Sequence, residues 1–386
     1  MNPMLTPNSY KMRNELGALH IIGTAHSIPN GDYPTDPFTN KAMTFSRVFT
    51  EAGFKTYYYG VEGGEDHVKC TKYVPFASKE IFFETYPTVE STTATHFSTT
   101  EGKVWEEFFK NTPGLVQDNL FDGSRDIIFP FFGSPCAHIT NKVGICAIEP
   151  GIGHPGSYCD IRIFESYAWQ NFTYGKEGRD DTKKWPTHYS TTIPNMIYPE
   201  EYPFSEEKED YFMFMGRINW GKGISLAAEL SNYFEKKLII AGAGDIRAPH
   251  AIPSHIPIDH VEYVGILNHK EKCEYLKKAK AFFCPSQYIE PFGHVVPEAS
   301  VCGTPILTTD FGAFSETVLD GVTGFRCRVM QDFVDGINRI DEIDPLTCRK
   351  SAIDRFGYKA LLPKYLKFFD QVLTMRLDEQ GWYKVY

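Results

Sequence analysis

Residues 290–305 read EPFGHVVPEASVCGTP, with two carboxylates, Glu290 and Glu298, eight positions apart and a Pro291-Phe292-Gly293 turn between them. The run before them, residues 281–284, is apolar and short, as a buried strand would be. After the turn Val295, Ala299 and Cys302 recur at helical spacing, so a helix is expected. Pro297 fits its first turn, where a missing N–H costs least. Glu290 then caps a strand end, the N–H groups of His294, Val295 and Val296 point out of a helix start, and Glu298 sits one turn further in. A helix N-terminus attracts phosphate, and flanking carboxylates accept hydrogen bonds from sugar hydroxyls. This is the outline of a nucleotide-sugar site.

The same alternation of strand and helix extends to both sides of that stretch. Upstream, strands are expected at 211–215, 238–241 and 261–264, with helices at 224–234 and 269–279; downstream a strand follows at 305–308. A long helix is expected over 355–375, with Tyr358, Leu361, Leu362, Tyr365, Phe368, Phe369 and Val372 on one stripe that must be buried. Residues 191–210 carry three prolines and then a charge run, and read as an interdomain linker. Before the linker the alternation occurs again: strands at 18–23, 56–59, 126–132 and 143–148, helices at 40–52, 104–109 and 134–140. Residues 160–171 are read as a further helix and 61–100 as irregular. The order predicts parallel α/β sheets, whose ligands sit at the carboxyl ends of strands. In the first half this singles out the loop after Gly23 and the loop 149–158, where His154 stands among glycines.

The totals bound the rest. A chain of 386 residues suggests two domains. A net charge of −10 argues against nucleic acid as the main partner. The nine cysteines form no CxxC pair, which fits reduced core thiols and a cytoplasmic protein. The N-terminus lacks the apolar centre of a signal peptide, and no apolar run is long enough for a membrane span. The high aromatic content suits ring stacking on sugars as well as a Phe-rich core.

Arg217 and Lys222 lie five apart after a strand, and together they could grip one anionic group; by themselves they also read as a solvated pair. Gly242-Ala243-Gly244 lacks the third glycine of a dinucleotide fingerprint, with Arg247 standing in its place. Glu316 reads equally as part of a helix cap or as a ligand contact. DxD, HExxH and GxSxG are all absent from the sequence, so neither metal nor other cofactor is expected.

Taken in order, Gly216-Arg217-x4-Lys222-Gly223, the AGAG at 241–244, Val264-Gly265, E-P-F-G-x4-E from Glu290 to Glu298, the GTP at 303–305 and E-x3-DGVTGF from Glu316 to Phe325 resemble the retaining glycosyltransferases of GT-B fold. That group includes sucrose synthase and bacterial mannosyltransferases, and length and aromatic content are similar to its small virus-encoded members. The resemblance spans roughly 211–325. It implies two Rossmann-like domains with parallel sheets facing across a cleft: residues 1–200 binding acceptor, residues 201–365 binding donor, and a return helix at 366–386 joining the first domain. It implies that Arg217 and Lys222, on the loop from Gly216, bind the donor diphosphate and that Glu298 holds the ribose. Glu290, with the backbone of Phe292, Gly293, His294 and Val295, would hold the transferred sugar, the loop at Val264 and Gly265 the base, and His154 would lie near the sugar. The chain departs from the group at His294 and Pro297, where Leu is commoner.

The implied reaction is metal-independent transfer of a hexose from a UDP- or GDP-sugar to a hydroxyl of a glycan or glycoprotein, with retention, in the cytoplasm (the host's, for a virus-encoded member). A sugar-nucleotide epimerase of the same fold and an inactive carbohydrate-binding scaffold are the competing readings.

Overall fold

The computed structural model describes residues 16–30, 36–88, 100–180 and 189–377. The chain divides into two units: residues 1–165, 173–196 and 361–386 form the first, and residues 166–172 and 197–360 the second.

The first unit holds a seven-stranded sheet: β1 (Ala18–Ile22), β2 (Lys55–Val61), β3 (Lys72–Ala77), β4 (Ile127–Pro130), β5 (Cys146–Ile152), β6 (Ile161–Phe164) and β7 (Ser190–Thr192). Its order is β3-β2-β1-β4-β5-β6-β7, and every pair is parallel. Strands β1 and β4 are buried throughout, as expected where helices cover both faces of a parallel sheet.

Three expectations need correction here. Residues 61–100 are not irregular where described: they supply edge strand β3 and the helix Lys79–Thr85. The strand was illegible because it is half-exposed and contains Pro75, which inside a run argues against a strand unless it lies at an edge, a strand start or a bulge. Residues 160–171 are not one helix. They are β6, which holds Arg162, then a helix Tyr167–Asp180. The helix expected at 104–109 runs over Lys103–Asp118, with Pro113 inside it.

The expected C-terminal helix is two helices, Pro345–Phe356 and Tyr358–Leu377. They break at Gly357, whose backbone is extended (φ −62°, ψ 137°). From Leu361 onward the second helix belongs to the first unit. Its apolar stripe is buried there: Phe369 packs on Phe49 (centroids 5.5 Å) and Phe129 (5.2 Å), and Tyr365 on Phe45 (5.6 Å). Aromatic pairs at these separations add to the burial of their area.

The second unit holds six parallel strands: β8 (Tyr211–Met215), β9 (Lys237–Ala241), β10 (Val261–Gly265), β11 (Ala281–Cys284), β12 (Ile306–Thr309) and β13 (Gly324–Cys327). Their order is β10-β9-β8-β11-β12-β13. The period of two decides its two cores: Phe212, Phe214, Leu238, Ile240 and Phe283 enter one, while Tyr211, Met213, Ile239 and Phe282 enter the other. Burial on both faces explains why β8 and β11 read as unbroken apolar runs.

Candidate functional site

In the second sheet the order reverses between β8 and β11. Crossovers from these strands leave toward opposite edges, so a crevice opens beyond their carboxyl ends. The loop after β8 carries Gly216, Arg217 and Lys222; the loop after β11 carries Glu290 to Val295.

Close backbone contacts hold the two loops. Asn219 caps the turn Trp220–Lys222 by accepting from the Lys222 N–H. Gly223 follows at φ +74°, where an added Cβ would lie 2.0 Å from the Pro285 carbonyl. The Gln287 N–H donates to the Gly221 carbonyl at 2.7 Å. Gly242, at φ +140°, passes so near Gly216 that a Cβ would stand 1.9 Å from its oxygen. Glycine is required at both places for close approach as well as for the positive φ.

With the loops fixed, Lys222 Nζ meets Glu290 Oε2 at 2.8 Å. The same oxygen accepts from Ser286 Oγ at 3.0 Å, and Nζ lies 5.0 Å above the Tyr288 ring. Burial opposes the ammonium charge, but Glu290 and Tyr288 outweigh it and raise the lysine pKa. Lys222 is thus paired with Glu290. Arg217 is exposed on the same loop.

Glu298 is buried on the helix Val295–Val301. Its Oε1 accepts from Lys272 Nζ at 2.5 Å and from Tyr202 Oη at 3.0 Å. Burial disfavours its charge, yet Lys272, His294 and the two hydrogen bonds lower its pKa overall. The turn before the helix differs from expectation in one respect. The Val296 N–H is not left open, because it donates to the Gly293 carbonyl at 2.8 Å. The helix has seven residues, so what the turn offers is a few individual N–H groups. Gly293 is at φ +74°, and a Cβ there would be 2.5 Å from the Phe314 ring. The Phe292 side chain is buried in the core, and its ring lies 6.0 Å from that of His294.

Val264 and Gly265 end β10, and the Gly265 carbonyl accepts the Gly242 N–H at 2.8 Å. Tyr263 Oη donates to the carbonyls of Gly242 and Gly244, each at 2.8 Å. Glu316 resolves to a structural role. Its carboxylate accepts the N–H groups of Tyr167 (2.9 Å) and Ala168 (2.7 Å), capping the helix that starts there. Together with Ser166 Oγ on the Pro291 carbonyl (2.6 Å), this explains why residues 166–172 belong to the second unit. Lys272, Tyr202, Ser286 and Tyr288 were missed by sequence reasoning. None lies in a spaced motif, and Lys272 is hidden in a surface-like run of charges.

His154 lies in the first unit. Its Nδ1 donates to the Pro155 carbonyl at 3.0 Å, its ring meets the edge of Phe38 at 5.2 Å, and its Nε2 stands 4.0 Å from Glu149 Oε1. Burial, then the nearby Lys41, lowers its pKa to about 4. Among the described residues no group of three or more His, Cys, Asp or Glu is placed to hold a metal ion, and no helix is long and apolar enough to cross a membrane.

Residues 200–353 match the family described as glycosyl transferases group 1. The group 1 match takes in both loops of the crevice and Glu298. Among curated proteins, a glycogen synthase of Mycobacterium tuberculosis is 32% identical over 149 residues, covering 36% of each chain; the chain thus spans about a third of the length of the curated relatives it matches. Among solved structures, AviGT4, a glycosyltransferase involved in avilamycin A biosynthesis, aligns with TM-score 0.63 at 17% identity over 93% of this chain and 98% of its own. Anabaena HepE in complex with UDP and glucose aligns with TM-score 0.59 at 13% identity over 94% and 100%. At these identities the likeness shows the fold, which is GT-B: two Rossmann-like α/β units with parallel sheets.

Proposed function

We propose that the protein is a retaining glycosyltransferase that moves a hexose from a UDP- or GDP-sugar to a hydroxyl of a glycan or glycoprotein, without a metal. The observation that carries this reading is the Lys222–Glu290 pair, 2.8 Å apart at the reversal point of the sheet, with Arg217 exposed on the same loop. The family match and the UDP and glucose held by HepE support it.

In this reading the donor diphosphate takes the place of Glu290 as partner to Lys222, and Arg217 closes on it from the loop. Glu290, released, accepts hydrogen bonds from the sugar hydroxyls, with the N–H groups of the Phe292–Val295 turn beside it. Both protein hydrogen bonds to Glu298 fall on Oε1, so Oε2 is the oxygen assigned to the ribose. Val264 and Gly265 border the base. As the anomeric bond breaks, charge grows on the leaving diphosphate, and fixed cations lower the barrier by stabilising it. The acceptor then attacks from the face the diphosphate leaves, which retains configuration, and a departing phosphate oxygen takes the acceptor proton. Residues 1–200 are assigned to the acceptor, and His154 to a sugar contact.

Incubation of the protein with a panel of UDP- and GDP-sugars, with and without glycan acceptors, tests this. Release of the nucleoside diphosphate that needs acceptor, and persists in EDTA, is expected. A new sugar nucleotide formed without acceptor identifies an epimerase, and absence of any sugar-nucleotide binding leaves an inactive scaffold.

A further inference from the structure

One carboxylate in the first unit plays no part in the reading above. Glu149 is fully buried (0% exposed) in β5. Its Oε2 accepts the N–H groups of Tyr158 (2.8 Å) and Cys159 (3.2 Å), which ties down the far end of the loop that carries His154. Its Oε1 is also buried, and no hydrogen bond reaches it. Buried polar atoms are nearly always satisfied, so such an orphan calls for a physical reason.

The group it faces is the His154 ring, with Nε2 4.0 Å away. That ring cannot easily withdraw. Gly133 backs it so closely that a Cβ would lie 2.6 Å from Cε1, and the Ser134 N–H holds the Gly156 carbonyl at 2.9 Å. Its tautomer is also defined, because a carbonyl only accepts: the bond to Pro155 puts the proton on Nδ1 and leaves Nε2 with a lone pair. An ionised Oε1 facing that lone pair would be repelled, whereas a protonated Oε1 is its complement.

We propose that Glu149 is a positioning residue whose proton sets the tautomer of His154. As a neutral acid it presents Oε1–H to Nε2 and keeps the ring in the Nδ1–H form. Once Glu149 loses that proton to solvent, its carboxylate instead accepts from Nε2–H. The ring stays neutral, its one proton passing from Nδ1 to Nε2, and the bond to Pro155 is lost. Burial, only partly offset by the two N–H groups and Arg162, pushes the Glu149 carboxyl up to about 7, so the exchange falls near neutrality. The other charged groups around the pair are Lys41, whose Nζ reaches the Gly151 carbonyl (2.9 Å) and the Glu165 carboxylate, and Glu177, which accepts from Arg162 at 2.9 Å on each oxygen and from Ser157 Oγ at 3.5 Å. Lys41 and Glu165 act on His154, and Arg162 and Glu177 on Glu149.

The inference rests on the assignment of His154 to the sugar only for its bearing on turnover, so its primary test needs no turnover. Nitrogen NMR of the full chain with ¹⁵N-labelled histidine, His154 being identified by the signal lost in His154→Asn, reads the tautomer directly. In the wild type Nε2 is expected to move from the unprotonated to the protonated range as pH rises through about 7. Glu149→Gln keeps an oxygen for the N–H groups of Tyr158 and Cys159 and places an NH₂ toward Nε2, so it should hold the neutral Nδ1–H form throughout the pH range above about 4, where the ring is uncharged. The same variant should remove any fall in turnover with that midpoint. A pH-independent His154 tautomer in the wild type, or the same tautomer exchange in Glu149→Gln, overturns the proposal whether or not the enzyme reading stands. Loss of turnover alone, with the NMR result as expected, bears only on the role of His154.

Discussion

Lys222→Ala separates the structural from the chemical role of the central ion pair. The substitution leaves Glu290 with Ser286 as hydrogen-bond donor to Oε2, in a place where the two charged side chains are only 19% and 9% exposed. Stranding one member of a buried pair costs about 3–5 kcal/mol. The residual exposure of Lys222 and the retained Ser286 bond reduce this to about 2–3 kcal/mol. Adding Glu290→Gln removes the stranded charge, and groups in contact couple by roughly 0.5–3 kcal/mol, so the double variant should recover at least about 1 kcal/mol of the loss. Turnover should not follow. Loss of one fixed donor to developing charge costs about 3–4 kcal/mol of barrier, or roughly a factor of 10²–10³, and Glu290→Gln restores none of it. Urea unfolding gives the first quantity, and initial rates of nucleoside diphosphate release from the preferred donor give the second. Turnover in Lys222→Ala within about threefold of wild type, a difference under 1 kcal/mol, would refute the reasoning. So would a double variant that regains rate together with stability.

Three further outcomes follow from the contacts. Glu316→Ala uncaps the N–H groups of Tyr167 and Ala168 and should cost about 1–2 kcal/mol in urea unfolding while leaving nucleotide affinity by calorimetry unchanged. Gly242→Ala drives a Cβ to 1.9 Å from the Gly216 oxygen at a φ of +140°; a loss above about 2 kcal/mol is expected, with weakened UDP binding in whatever fraction folds. On the acid side, burial would raise the Asp36 carboxyl, but His26 and hydrogen bonds from His26, Thr39 and Ser27 outweigh it and hold it at about 2, against 3.8. A depressed acid stabilises the fold above its unfolded value and loses that contribution as pH falls through its folded one, so about 2 kcal/mol should vanish between roughly pH 5 and pH 1. Asp36→Asn should flatten that part of the stability–pH curve, and an unchanged slope would remove the His26–Asp36 pair as its source.

The sequence by itself determined the parallel α/β character of both halves and the two loops that carry Arg217, Lys222 and Glu290. It could do so because those features are local: unbroken apolar runs mark strands buried on both faces, and glycines mark places where backbone touches backbone. Tertiary structure alone decided the partners. That Lys222 faces Glu290, that Glu298 is held by Lys272 and Tyr202, and that Glu316 caps the helix at Tyr167 each depend on residues 68, 26, 96 and about 149 positions apart. No periodicity encodes such separations, because they follow from strand order. Edge strand β3 and strand β6 escaped for a related reason: polar residues interrupt each, and only its neighbours in the sheet make it a strand. The buried Oε1 of Glu149 was equally invisible, since burial without a partner is a property of the packed fold and leaves no mark on residue order.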